Sequence, residues 1–190
     1  IFNEFLSLIL QKQKIYGFKH IIIAELADTI EGAALRTSQL LSIKKGMVDQ
    51  ALEVAKHYSE FLTELSKVCN ITFICVEASN HTQLRNLGTK RDELPAEDLM
   101  KVIAEFIKIR TENNPNIEVI SDDMVYYTHQ EVHFLFLHGH QKEGKDFVEV
   151  RKSRDYQEVD YMIGAHVHHY SVDTIQDNGK SNALEITIPK

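Results

Sequence analysis

Four apolar runs in this sequence lead into side chains that bind divalent metals, and any fold the chain adopts must account for all of them. Ile21 to Ala24 runs into Asp28, Val76 into Asn80 and His81, Phe134 to Leu137 into His138-Gly139-His140, and Tyr161 to Ile163 into Gly164-Ala165-His166-Val167-His168. A run such as Ile-Ile-Ile-Ala reads as a strand buried on both faces. In α/β sheets, ligands collect beyond the C-terminal ends of such strands. Taken singly, Asp28 is more often a loop cap than a ligand. An Asp, an Asn, a His and a His-x-His, each at a strand end, is a hard and borderline donor set suited to a pair of cations.

The space between these junctions is filled by helical and strand patterns. Phe2, Phe5, Leu6, Leu8, Ile9 and Leu10 form a broad apolar stripe, which predicts a helix over Ile1 to Lys14 with Gly17 as its cap. Val48, Leu52, Val54, Ala55, Tyr58, Phe61, Leu62 and Leu65 mark a long amphipathic helix within Met47 to Val68. Ile71 to Val76 is rich in β-formers and reads as an inner strand. A helix is expected from Pro95 to about Arg110, with Glu97 and Asp98 in its first turn and Asn113-Asn114-Pro115-Asn116 as its stop. Ile117–Ile120, Met124–Tyr127 and Glu131–His138 read as strands, the last alternating Val132, Phe134 and Phe136 on one side. The charged segment Gln141 to Asp160 is expected to be helical in its middle. Tyr170–Gln176, the turn Asp177-Asn178-Gly179 and Ala183–Pro189 predict a β-hairpin.

With 190 residues and 43% hydrophobic content, the chain suits one domain with one sizeable core. The formal charge of -7 gives no general attraction to phosphate backbones, so a nucleic-acid substrate must be held by local basic residues and bound metal. Cys69 and Cys75 lack the spacing of a thiolate metal motif and read as reduced, structural residues. The sequence carries no signal-peptide pattern and no apolar run of transmembrane length, which makes cytoplasm the expected compartment and gives no membrane role. The oligomeric state is not readable.

Ala27-Asp28-Thr29-Ile30-Glu31, Ser79-Asn80-His81-Thr82, His138-Gly139 and Ala165-His166-Val167-His168 follow one another in the order of a known motif series. On these residues the chain resembles the calcineurin-like metallophosphoesterases, over roughly Lys19 to Tyr170. The family pattern has an upstream Asp-x-His, then Gly-Asp-x-x-Glu, Gly-Asn-His-(Asp or Glu), a strand-end His, and Gly-His-x-His. The resemblance implies a four-layer α/β/β/α sandwich of two mixed sheets with helices outside. It implies two divalent cations, manganese first and iron or zinc as alternatives, with Asp28 bridging them. Asn80, His138 and His166 would complete one cation, and His168 would serve the second together with the upstream Asp and His. By the same resemblance His81 faces the leaving oxygen as proton donor or charge stabiliser, and Glu31 orients a ligand or loop.

The implied activity is hydrolysis of a phosphodiester, DNA or a nucleotide, by hydroxide held between the two cations. Asp28–Gln39 and Asn80–Arg91 look most like nuclease-type and phage-associated members. Arg36 and Arg85 are the substrate-gripping candidates, although a solvated loop face also explains them. Within His138-Gly139-His140 the second histidine competes with the first.

The departures matter too. No Asp-x-His precedes Ile21, and the chain opens on Ile1 rather than Met, so a single phosphoesterase-like domain lacking its first strand is expected. Ala27, Ser79 and Ala165 stand where the family commonly has glycine, and Thr82 replaces the acid after His81, whose ring must find a partner elsewhere. These departures keep a second class open, a degenerate phosphoesterase fold that binds or scaffolds without turnover.

Overall fold

A computed structural model describes residues 2–32, 42–79, 81–84, 93–94, 96–139, 158–166, 170–176 and 182–188. In chain order the elements are α1 (Phe2–Tyr16), β1 (His20–Glu25), α2 (Met47–Leu65), β2 (Asn70–Val76), α3 (Leu99–Thr111), β3 (Ile117–Asp122), β4 (Met124–His129), β5 (Val132–Leu137), β6 (Tyr161–Gly164), β7 (Ser171–Gln176) and β8 (Asn182–Thr187). Among the described residues they form a mixed α/β structure of three helices and two sheets, one ordered β1-β2-β3 and the other β4-β5-β6-β8-β7. The larger sheet is mixed. The smaller is parallel throughout its described strands, because α2 and α3 each carry the chain back across it before the next strand begins.

The side-chain period of two divides β2 between two cores. Ile71, Phe73 and Cys75 point into a cluster with α2 and α3, joined by Ala55, Leu62, Leu65, Met100, Ile103 and Ile107. Ile74 and Val76 point the other way, into an inter-sheet cluster with Val125 and Phe136. β5 divides likewise, Phe136 facing the first sheet and Leu135 and Leu137 an outer cluster with Met124, Val159 and Met162. Phe73 is fully buried, and truncating it to alanine removes about 3–5 kcal/mol.

These layers place helix, sheet and sheet in that order. The helix expected in the middle of Gln141 to Asp160 falls mainly on residues outside the described ones. The hairpin is present as antiparallel β7 and β8, with its turn likewise outside. No helix among the described residues is long and apolar enough to cross a membrane.

Three readings are corrected. β1 is covered on both faces but not fully buried: among the described strands it lies at the edge of its sheet, and only Glu25 of its six residues is buried. The isoleucine run that looks like an inner strand is used instead to cover α1 on one face and the second sheet on the other. α3 begins at Leu99 rather than Pro95, because Asp98 is its cap, accepting from Met100 N–H at 2.9 Å and from the Thr82 hydroxyl. α1 runs to Tyr16 rather than Lys14, and its C-terminal cap is as the sequence suggests: Gly17, at φ +64°, donates its N–H to the Gln13 carbonyl.

Candidate metal centre

Asp28 lies three residues beyond β1, His138 directly follows β5, and His166 follows β6 by two residues. One ligand atom from each falls within 4.8 Å of the others, the only such group among the described residues. Parallel strands that end on one side bring these loops together, since β5 and β6 run in the same direction in their sheet and Ala24 and Leu26, at the end of β1, pack in the cluster between the sheets. His81, beyond β2, joins them: its Nε2 is 3.8 Å from Asp28 Oδ2.

The backbone is bent sharply to achieve this. Ala27, Asp28 and His166 all have left-handed φ, at 69°, 61° and 69°, a conformation that disfavours any residue with a Cβ. Gly139, at φ +118°, permits a contact no other residue would, because a Cβ there would sit 2.8 Å from the Ala165 carbonyl oxygen. Ala165 in turn donates its N–H to the His138 carbonyl at 3.0 Å, tying the two histidine loops together.

Hydrogen bonds fix the ring states. Nδ1 of the fully buried His138 lies 2.7 Å from the Leu26 carbonyl, an oxygen that only accepts, so Nδ1 carries the hydrogen. In the neutral ring the lone pair then sits on Nε2, which is 3.3 Å from Asp28 Oδ2 and 3.1 Å from His166 Nδ1. The same holds at His81, where Nδ1 donates to the Glu31 carbonyl at 3.0 Å. Asp28 Oδ2, Nε2 of neutral His138 and a ring nitrogen of His166 thus converge on one place, an arrangement suited to a cation. A ligand histidine whose other nitrogen is held by a carbonyl is the usual form of a metal site. The donor set fits a divalent ion that accepts both imidazole and carboxylate.

The carboxylates differ in charge state. Burial pushes Asp28 up, but the His138 ring, which in its protonated form donates from Nε2 as well, the Ser79 hydroxyl and the protonated form of His81 outweigh it, holding the group well below the usual carboxylate range. Burial raises Glu25 to about 7 despite hydrogen bonds from Thr29, the Ala27 backbone and Cys75. Burial and the nearby Glu25 push the Cys75 thiol up as well, which leaves it an inert core residue.

Of the sequence-derived site residues, Asp28, His138, His166 and His81 are brought together. Glu31 is nearby with an exposed side chain, and it is its backbone carbonyl that meets His81; this is the ring partner that Thr82 does not provide. Asn80, His168, Arg36, Arg85 and the competitor His140 lie outside the described residues. Two residues with clear roles in the geometry went unmarked in the sequence. Ser79 donates its hydroxyl to Asp28, and Glu25 accepts from the Thr29 hydroxyl. Ser79 registers in sequence only as a substitute for glycine, and Glu25 only as the end of an apolar run.

The class so defined is a two-sheet α/β protein with an Asp–His cluster where its strands end. No family model matches the chain. It is 32% identical over 190 residues to the SPbeta prophage-derived uncharacterized protein YonJ of Bacillus subtilis (strain 168), a match covering 98% of this chain and 47% of that protein. The chain therefore spans about half the length of the curated relative it matches. Similar solved structures include a novel archaeal phosphodiesterase, at 14% identity and a TM-score of 0.41 over 91% of this chain and 84% of that one. A predicted phosphoesterase of Streptococcus pneumoniae TIGR4 has 12% identity and a TM-score of 0.34, covering 90% of this chain and 71% of that one. Vps29 of Chaetomium thermophilum has 10% and 0.36, covering 88% and 69%. At this level of likeness the chemistry rests on the chain's own side chains.

Proposed function

We propose that the chain is a calcineurin-like, metal-dependent phosphoesterase domain that hydrolyses a phosphodiester, DNA or a nucleotide, in the manner of nuclease-type and phage-associated members. The observation that carries this reading is the convergence of Asp28, His138 and His166 within 4.8 Å, with His138 turned so that its Nε2 lone pair faces the carboxylate. These three side chains, with Asn80 and His168, would hold two divalent cations, manganese in the first instance. When bound, the cations supply Lewis acidity toward a phosphoryl oxygen and toward water.

The chain's own residues supply the rest. Glu31 holds Nδ1–H of His81, so Nε2 is the atom that takes up a proton and passes it to the departing oxygen. That side chain is 12% exposed beside the 5% of Asp28, which lets it meet a substrate from the solvent side. Arg36 and Arg85 would grip the phosphodiester. The free, buried Cys69 and Cys75 are consistent with a reducing, cytoplasmic setting.

The test is hydrolysis of a chromogenic phosphodiester and of single- and double-stranded DNA by the full-length protein with added Mn²⁺, alongside metal content. Turnover that disappears in Asp28→Ala and His166→Ala together with bound metal supports the reading. No turnover, with metal content unchanged in both variants, overturns it. Metal loss in the variants without wild-type turnover leaves the second class, a binding or scaffolding module.

A further inference from the structure

We infer that Ser79 is a positioning residue that decides which oxygen of Asp28 meets a divalent cation; this rests on the metal-centre reading proposed above. Ser79 is fully buried three residues beyond β2, and its hydroxyl has a determined direction. Its Oγ accepts the His81 backbone N–H at 3.0 Å, so its own hydrogen is available to donate, and it goes to Asp28 Oδ1. The two residues are 51 positions apart in sequence.

Ser79 is itself anchored from behind. Its N–H donates to Asp98 Oδ2 at 3.3 Å, while Asp98 Oδ1 accepts from Met100 N–H and the Thr82 hydroxyl as the cap of α3. The first turn of a helix rooted in the main core therefore holds the loop that holds the aspartate. With Oδ1 bonded to the hydroxyl, rotation of the carboxylate is restrained and Oδ2 is the oxygen turned toward His138 Nε2 and His81 Nε2, at 3.3 and 3.8 Å. A glycine at position 79 has no hydroxyl and cannot supply this restraint. The serine that looks like a departure from the family pattern thus acts here as a restraint on the metal ligand. Partners of this kind typically change metal affinity by about 10–100-fold when removed.

The experiment measures Mn²⁺ affinity by electron paramagnetic resonance titration of the full-length protein, with the melting temperature of the metal-free form as the control for folding. Ser79→Ala is expected to fold, to melt a few degrees lower without metal because the His81 N–H and Asp28 lose their hydroxyl partner, and to bind Mn²⁺ about 10–100-fold more weakly. Ser79→Cys keeps the volume but trades a strong O–H donor for a weak S–H, and carries the same expectation should Ser79→Ala not fold. Asp28→Ala serves as the reference. If Asp28→Ala loses Mn²⁺ while a folded Ser79 variant keeps wild-type affinity, the role of Ser79 is refuted and the metal centre stands. Wild-type affinity in Asp28→Ala refutes the metal centre itself, and the inference with it. Failure of both Ser79 variants to fold makes the residue a structural one and also overturns the inference.

Discussion

Gly32 lies so close to His81 that a Cβ on the glycine would sit 1.9 Å from the histidine's carbonyl oxygen, and the glycine has φ +71°. The loop carrying Asp28 and the loop carrying His81 are therefore in backbone contact at a point no other residue can occupy. Glu31 N–H, bonded to Gln50 Oε1 at 3.1 Å, pins the same point to α2.

Gly32→Ala is accordingly expected to separate the two loops. Overpacking against backbone costs about 1–3 kcal/mol, and the left-handed φ adds about 1–2 kcal/mol. Thermal unfolding should show a fall of several degrees, at about 2–4 °C per kcal/mol for a chain of this size. A melting temperature equal to wild type would mean that the contact does not exist in solution.

At Ala27 the opposite change is expected to help. Its φ of 69° penalises the alanine Cβ by about 1–2 kcal/mol, and glycine returns about 0.5–1 kcal/mol of that as unfolded-chain entropy. Ala27→Gly should leave the melting temperature unchanged or raise it by up to a few degrees while preserving Mn²⁺ binding. A clear loss of stability would show that Ala27 is not left-handed.

His138 joins three loops at once, through Leu26, Asp28 and His166. His138→Ala leaves the Leu26 carbonyl without its imidazole donor inside a buried site, a change of about 1–3 kcal/mol before any cavity is counted. The variant is expected both to melt lower without metal and to bind Mn²⁺ poorly, with a larger fall in melting temperature than Ser79→Ala because a buried ring-sized cavity is left as well. Calorimetry on metal-free and Mn²⁺-loaded protein separates the two.

Glu25 gives the stability of the metal-free protein a pH dependence of definite sign. In the unfolded chain the carboxyl ionises near its ordinary value of 4.5, whereas burial raises it to about 7 in the fold. The folded form holds the extra proton between these values. Its contribution is present in full below about pH 4.5 and is lost as pH rises through 7. The shift corresponds to a few kcal/mol at about 1.4 kcal/mol per unit. Asp28 acts in the other direction, since a carboxyl held low contributes at neutral pH and loses that contribution only in stronger acid. Denaturant midpoints of wild type and Glu25→Gln from pH 5 to 8 in chelator should diverge, the variant lacking the decline. Parallel curves would show that Glu25 is not buried as a neutral acid.

The folding pattern was legible where it depended on near neighbours. α1, α2, β2 and the hairpin follow from periods of 3.6 and 2, because a side chain's burial repeats with the geometry of its own element. Asp28, His81, His138 and His166 were legible as donors because each follows an apolar run. The partial burial of β1 was not legible, since a run of isoleucines looks the same whether the layers on its two faces cover it fully or in part.

What the sequence by itself determined is the order of the elements and the identity of the donors, which are local properties of composition and spacing. Only the tertiary structure decided how the donors are held. The Leu26 carbonyl that sets the His138 ring is 112 residues away, and Ser79 and Asp28 are separated by 51. A hydrogen bond or a Cβ-sized gap between such distant positions leaves no periodic trace in the chain, because its geometry exists only once the strands that carry the loops have paired and packed.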